Sequence, residues 1–457
     1  MTDSTTSSAL TVVLTELGWK PGVLARKLNS AAALHGRPER VHAKTPYKWL
    51  RGERPRSPWP PLMAALLADE LGRPLTAADL GWDCDGVEVV SAISGLVLPW
   101  TAAGSLRAVR AVTDAGSMER RILLTLLGAG ACAPAHEWLI ARPDAEVARS
   151  SGSPLPVGVV DHLDDITGQL RLLDDQLGGE TLLPLVRANL RHVLSLLDQR
   201  RYTDSVGRRL HATAGELMRL AGWLSFDSGQ HPQAQRYWVA ALHAAHAAGD
   251  RALGANILGF MSLQTKDLGQ IRESVTLAET ARAGYPGASP RVAAILDLRA
   301  AEAHAGAQAS TECRRALDTA FDRLGDIPSS AGEPDWCYWL DEGQIYAFAG
   351  YSYLDLQDWG RARQHLRTAL RLLDPSYARD SALHHIKLAT TYLRQDQPEV
   401  DHAVTLATHA VQTLTGGVNS TQCVGHLARL IVDLTPYRRR PAVRQLTEQA
   451  TGLLAPR

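Results

Sequence analysis

The sequence predicts an all-α protein in which a cluster of short helices precedes an α-solenoid of stacked helical hairpins. Three observations carry this. Ala, Leu and Arg dominate a chain that is 45% hydrophobic, 21% charged and only 6% aromatic, a composition that favours helix over sheet. Apolar residues recur at helical spacing over most of its length. From about residue 205 onward, small residues recur in a fixed register from one segment to the next.

Residues 7–80 parse as four or five short helices. Leu10, Val13, Leu14 and Leu17 mark the stripe of the first, and Gly18 stops it. Pro21 opens the next, which carries Leu24 and Leu28. After Pro58-Trp59-Pro60-Pro61, a helix with Leu62, Leu66, Leu67 and Leu71 runs to Gly72. Pro74–Leu80 makes a short final turn.

Between these lies Thr45-Pro46-Tyr47-Lys48-Trp49-Leu50-Arg51-Gly52-Glu53-Arg54. It reads as a short helix with a Thr cap, Pro in the first turn and Gly52 at the end. Trp49 and Leu50 are expected to face inward, leaving Tyr47, Lys48 and Arg51 in solvent. A basic, aromatic-bearing helix that follows another helical run has the layout of a helix-turn-helix. Its second helix lies in the DNA major groove, and the first buttresses it. Charge agrees: residues 1–60 hold ten Lys/Arg and four Asp/Glu, 10 − 4 = +6, whereas the whole chain sums to zero. Thr45, Tyr47, Lys48 and Arg51 are the expected base-reading residues, with Lys20, Lys44 and Arg54 on phosphates. Double-stranded DNA is the expected partner. Because one such module buries little DNA surface, a homodimer across two half-sites is expected as well.

Residues 83–157 read as an irregular connecting region, punctuated by Gly, Pro and Ser, notably at Ser150–Pro156. A helical hairpin follows at about 158–200, with Leu163, Ile166, Leu170 and Leu173 on one face. The domains are therefore expected at 1–82, 83–157 and 158–457.

The repeat then takes over. Small residues pair seven apart at Ala234/Ala241, Ser274/Ala281, Cys313/Ala320, Ala362/Ala369 and Ala403/Ala410. Twelve positions before each pair sits another, at Gly222, Ser262, Ala301, Gly350 and Thr391. Small side chains at such points let two antiparallel helices approach closely, and stacking buries each hairpin's remaining apolar face. Pro328–Pro334 is an inserted loop, and a weaker sixth unit at about 418–454 is expected to cap the stack.

These spacings resemble the tetratricopeptide repeat, best at Gly350-Tyr351-Ser352-Tyr353 through Ala362 and Ala369 to Pro375. The layout as a whole is similar to a group of actinobacterial regulators that join an N-terminal Cro/repressor-type helix-turn-helix to a tetratricopeptide domain. The likeness is carried by Leu24–Asn29, Trp49–Pro55, Leu71–Gly81 and Ala221-Gly222-Trp223. It implies a cytoplasmic transcriptional regulator acting in development or antibiotic production. One departure is the lengthened segment Leu34–His42, which leaves open the angle of the basic helix and the part of Arg37 and Arg40.

In such a stack the first helix of each unit lines the concave face. Trp223, Leu263, Glu302, Tyr351 and Tyr392 follow the marker residues and are expected to point inward. Glu216, Asn256, Ile295, Gln344 and His385 lie six before them, and Arg219 three before. Arg219, Trp223, Asn256, Gln344, Tyr351, His385 and Tyr392 are the candidate contacts for a peptide, small-molecule or protein ligand. A tetratricopeptide adaptor without specific DNA binding is the alternative reading.

Chemistry has no visible carrier. Gly128-Ala129-Gly130-Ala131-Cys132-Ala133 after an apolar run imitates a dinucleotide loop, but Pro134 and Pro143 are expected to interrupt the helix that the phosphates need. His243 with His246, and His384 with His385, lack acidic or Cys partners at metal spacing. The five cysteines are scattered and read as reduced, buried thiols. No apolar run approaches the ~20 residues that span a bilayer, and no signal peptide is indicated at the N-terminus. No enzymatic activity, cofactor, metal or membrane is expected.

Overall fold

A computed structural model describes residues 9–34, 40–56, 59–71, 75, 80, 82, 88–91, 95–113, 121–126, 128–144, 146–177, 179–287, 289–325, 332–418 and 420–454. Arg37, Cys84, most of the turn expected at 74–80 and part of the 328–334 loop lie outside these. The fold is all-α, and the chain divides into two compact units. One comprises residues 1–94, 114–126 and 230–232; the other is the remainder.

The first unit holds α1 (Ala9–Glu16), α2 (Pro21–Leu34), α3 (Thr45–Leu50) and α4 (Trp59–Leu71). Gly18, at φ 65°, ends α1, since only glycine takes that conformation without strain. Leu10 and Leu14 meet Leu24 and Leu28 in a core that also takes Val41, Trp49, Met63 and Leu67. Asn29 fixes the long α2–α3 connection. Its Nδ2 donates to the Val41 carbonyl (2.9 Å), and its Oδ1 accepts from the Val41 amide (2.7 Å). The strands β1 (Glu88–Ser91) and β2 (Arg121–Leu124) pair in parallel within this unit.

The second unit begins with α5 (Ala102–Thr113) and α6 (Ala129–Ile140), so residues 83–157 are more structured than their composition suggests. Pro134 lies inside α6 without ending it, contrary to expectation. Trp138 of α6 is fully buried, seated where Gly254 and Gly284 leave no side chain in its way. The Arg251 guanidinium covers the Trp138 ring at 4.7 Å and donates to the Trp138 and Ala141 carbonyls.

Then come α7 (Val157–Leu177) and α8 (Gly179–Gln199). Leu163 and Leu170 are buried as expected, but Ile166 is 41% exposed. The buried stripe of α7 runs instead through Leu163, Thr167, Leu170, Arg171 and Asp174, and Ile166 falls off it. Two-residue strands β3 (Ser153–Pro154) and β4 (Arg200–Arg201) pair in parallel beside this hairpin.

Six hairpins follow. Their inner helices are α9 (Asp204–Asp227), α11 (Arg251–Asp267), α13 (Pro290–Gly306), α15 (Glu342–Asp355), α17 (Ala378–Leu393) and α19 (Thr421–Asp433). Their outer helices are α10 (His231–Ala248), α12 (Ile271–Gly284), α14 (Ser310–Gly325), α16 (Trp359–Leu372), α18 (Val400–Thr415) and α20 (Pro441–Leu454). Every small marker residue of the repeat is buried. The reason is visible at Gly222, where a Cβ would lie 2.3 Å from the Trp238 indole nitrogen, and at Gly350, where it would lie 2.6 Å from Leu366 Cγ. At the second hairpin, the Ser262 hydroxyl donates to the Ser274 carbonyl at 2.8 Å.

Consecutive inner helices touch, and the last, α19, also touches the first, α9. The sixth hairpin therefore closes the stack into a ring instead of only capping it. Buried Ser420, the N-cap of α19, accepts from the Cys423 amide and donates to Asp227 Oδ1 at 2.6 Å.

A candidate ligand cavity and a basic helix

A partly open cavity of about 170 Å³ lies among the inner helices. Four of the inward-pointing positions, Trp223, Leu263, Glu302 and Tyr351, line it, together with Arg219 and Gln344. Two further parts narrow it. Arg171 and Asp174 come from α7, which touches α9 and α17. Trp336, Tyr338 and Trp339 come from the inserted segment, which forms a 3-10 turn at Asp335–Cys337.

Most of the charge on the wall is paired. Arg171 pairs with Glu216, and Arg379 donates to both carboxylate oxygens of Asp174 at 2.9 and 3.2 Å. Lys266 meets Asp355 at 2.9 Å and Glu302 at 3.7 Å, and Arg299 meets Glu302 at 2.8 Å. Lys266 is lined up with acids on both sides, and they outweigh the burial that would lower its pKa. Gln344 donates to Asp380 at 2.6 Å, and the Trp223 indole donates to Asp174 at 2.9 Å.

Two cations are different. Arg219 is 7% exposed, its Nε has no hydrogen-bond partner, and its guanidinium lies 5.6 Å from the Phe260 ring centre. Lys387 sits 5.5 Å over the Tyr351 ring. Burial lowers the pKa of both, and depresses His426 beside Lys387 well below its ordinary value. Tyr351 is shifted the other way, its phenol held neutral by burial first and nearby acids second.

Three candidate contacts do not reach this cavity. Tyr392 packs into the last hairpins, its ring stacked on His402 at 4.9 Å, under Arg363 at 4.1 Å and bonded to Arg367. Asp380, Leu383 and Lys387 form the cavity stripe of α17, and Tyr392 lies well round the helix from them. His385 is off the same stripe, bonding the Ser381 carbonyl at 2.8 Å and meeting His409. Asn256 is buried one turn before Phe260 and does not line the cavity. Phe260, Lys266, Arg379 and Lys387 also line the wall, although they lie outside the positions that the repeat register marks. Phe260 and Lys266 follow the same three-to-four spacing as Leu263, which would have found them. The dense Trp336-Cys337-Tyr338-Trp339 was the sequence signal for the returning loop.

In the first unit, α3 carries the basic residues. Its N-cap is Lys44, with no side-chain cap bond, so Thr45 is within the helix and does not cap it. Gly52, at φ 97°, closes the turn as expected. Trp49 is 4% exposed, whereas Tyr47 is 47% exposed and Lys48 and Arg51 lie in solvent beside it. Arg51 Nε donates to the Tyr47 carbonyl at 3.2 Å, and Lys48 faces Glu53 at 3.8 Å. Lys20, Lys44 and Arg54 are exposed.

The dinucleotide-like loop is used otherwise. The Gly128 amide, which a phosphate would need, donates to Gln270 Oε1 at 2.8 Å. Cys132, Cys313, Cys337 and Cys423 are free and buried, with thiol pKa values raised by burial, Cys132 and Cys313 to about 11 and Cys423 to about 12. Among the described residues, no group of His, Cys, Asp and Glu has metal-binding geometry, and no helix is long and apolar enough to cross a membrane.

A family model described as the SP15 N-terminal domain matches residues 10–83, which run from the second residue of α1 past the end of α4. No curated protein matches the chain.

Proposed function

We propose that the chain is a DNA-binding transcriptional regulator. In this reading α3 enters the major groove, and the ring of hairpins takes up a ligand and mediates pairing of two copies. The observation that carries it is the division of α3. Trp49 anchors the helix in the core, while Tyr47, Lys48 and Arg51 stand outward on a segment of charge +6. That is the arrangement a groove-reading helix needs: fixed from behind, cationic and hydrogen-bonding in front. Lys20, Lys44 and Arg54 supply phosphate contacts in the same reading. The resemblance noted in the sequence adds a role in development or secondary metabolism.

The small volume, with polar and aromatic walls and with Trp336 and Trp339 filling part of the space, supports a ligand-sensing role over that of an adaptor gripping an extended protein segment. Lys48→Ala with Arg51→Ala should abolish sequence-specific footprints while leaving the circular dichroism and melting temperature unchanged. A double variant that footprints like the wild type overturns the assignment. Pairing is tested by light scattering at micromolar concentration with and without DNA; monomers under both conditions count against it.

A further inference from the structure

Two cations of the cavity wall, Arg219 and Lys387, have no carboxylate within ion-pair distance, and Arg219 alone of the two also has a buried nitrogen without a hydrogen-bond partner. Of its six cationic wall residues, Arg171, Lys266, Arg299 and Arg379 have a carboxylate within ion-pair distance. Arg219 has none, although it is 93% removed from water (7% exposed) and its Nε is left without any acceptor. Glu216 and Asp174 act on Arg219 only from beyond ion-pair distance, and burial outweighs them. A buried guanidinium with no bonded carboxylate is costly, and a well-packed apolar residue of similar volume would serve stability better. Its retention at a cavity wall is accounted for if the missing anion arrives from outside.

The surroundings of Arg219 specify what else arrives. Trp223, Phe260, Trp336, Trp339, Phe348 and Tyr351 face the same space and offer ring surfaces. A volume of about 170 Å³ is close to that of a cavity that holds one benzene ring, about 150 Å³ in a known case. Arg219 and Lys387 both project from helix interiors, and the paired cations are already held. The wall thus offers a fork for a planar carboxylate more than the ring of amides and cations that a phosphate dianion draws on.

We propose that this cavity binds a small aromatic carboxylate, its ring held among the indole and phenyl side chains and its carboxylate paired with the Arg219 guanidinium. This rests on the ligand-sensing half of the function above and is independent of its DNA-binding half, because occupancy is measured without DNA. Lys387, the other unpaired cation of the wall, sits over Tyr351 and favours ring substituents that accept a hydrogen bond.

The test uses the full-length protein and three probes of one shape: phenylacetate, the uncharged 2-phenylethanol and the cationic phenethylamine. Quenching of the cavity tryptophans and the melting temperature are followed in parallel, with inorganic phosphate as a fourth titrant. Phenylacetate should saturate and raise the transition, with affinity at least ten-fold above that of 2-phenylethanol, while phenethylamine and phosphate do neither. Arg219→Met should abolish the preference for phenylacetate over 2-phenylethanol, and should melt no lower than the wild type in the absence of ligand. Trp339→Ala should weaken both probes together. Equal affinity for phenylacetate and 2-phenylethanol in the wild type, unchanged phenylacetate binding in Arg219→Met, or tighter binding of phosphate than of phenylacetate would each overturn the proposal. So would a failure of every aromatic carboxylate tried, including benzoate and indole-3-acetate, to bind at millimolar concentration.

Discussion

Ser420 donates its hydroxyl hydrogen to Asp227 Oδ1 at 2.6 Å, joining the last inner helix of the ring to the first across 193 residues of sequence. Asp227 is fully buried, and its second oxygen, Oδ2, has no partner. Desolvation raises its pKa to about 6, against the pull of Arg379 and the Ser420 hydrogen bond and with help from Asp174 and Asp380. In the unfolded chain the group returns to about 3.9. The folded state therefore binds the proton more tightly, and this group's contribution to stability falls as pH rises from about 4 to about 6. At pH 7 the penalty amounts to roughly 3 kcal/mol at most. Asp227→Asn keeps the acceptor for Ser420 and removes the charge. Its melting temperature should exceed that of the wild type at pH 7.5, and the two curves should converge towards pH 4.5. Parallel curves would contradict the shift.

The histidines push the other way. Burial lowers His211, His243 and His384 each to about 4. His211 bonds Ser105 Oγ at 3.0 Å, and His243 bonds the Leu96 carbonyl at 3.2 Å while stacking on Trp100 at 4.1 Å. Neither ring nitrogen of His384 has a partner. A histidine whose folded pKa lies below its unfolded value stabilises fully above about pH 6.5, and loses that contribution as pH falls towards 4. Each can cost roughly 3 kcal/mol by pH 4. The second unit should therefore unfold cooperatively below about pH 5. His384→Leu, which leaves no unbonded imidazole behind, should move the acid midpoint down. An unchanged midpoint would show that His384 is not buried neutral.

Close helix approach sets a sharper stability test. Gly222→Ala places a methyl group 2.3 Å from the Trp238 nitrogen, whose N–H already donates to the Arg219 carbonyl. Overpacking of this kind costs about 1–3 kcal/mol. Gly425→Ala, on α19 with nothing within 4 Å of its new Cβ, should be neutral or gain up to about 1 kcal/mol. Urea unfolding of the two variants separates them. Equal midpoints would contradict the packing account.

The repeat was legible because it rests on local necessity. Two helices cannot approach at Gly222 against Trp238, or at Gly350 against Leu366, unless the residue is small, so the spacing of small residues reports the hairpins. Four of the five positions placed after the markers accordingly face the cavity. What stayed hidden depends on partners distant in sequence. Asp174 and Arg379 meet across 205 residues, and nothing near either one announces it. The return of Trp336 and Trp339 into the groove is likewise a property of closure, invisible to helical periodicity, and the inserted segment reads only as a loop. Tyr392 shares the register of Trp223, but its helix presents a different stripe to the cavity. In the first unit, the core residues and Gly52 followed from pattern and glycine conformation. The cap did not, because Lys44 takes the N-cap position in helical conformation without a side-chain bond.

The central claim is that α3 reads DNA. Its most direct test is selection of genomic fragments by the native full-length protein at physiological salt, with the bound pool sequenced and the winning site titrated at several salt concentrations. The account predicts enrichment of one shared motif with two half-sites about a helical turn apart, a steep fall of affinity with salt, and loss of the motif with Lys48→Ala and Arg51→Ala. A bound pool indistinguishable from the input, or a motif that survives both substitutions, would contradict it.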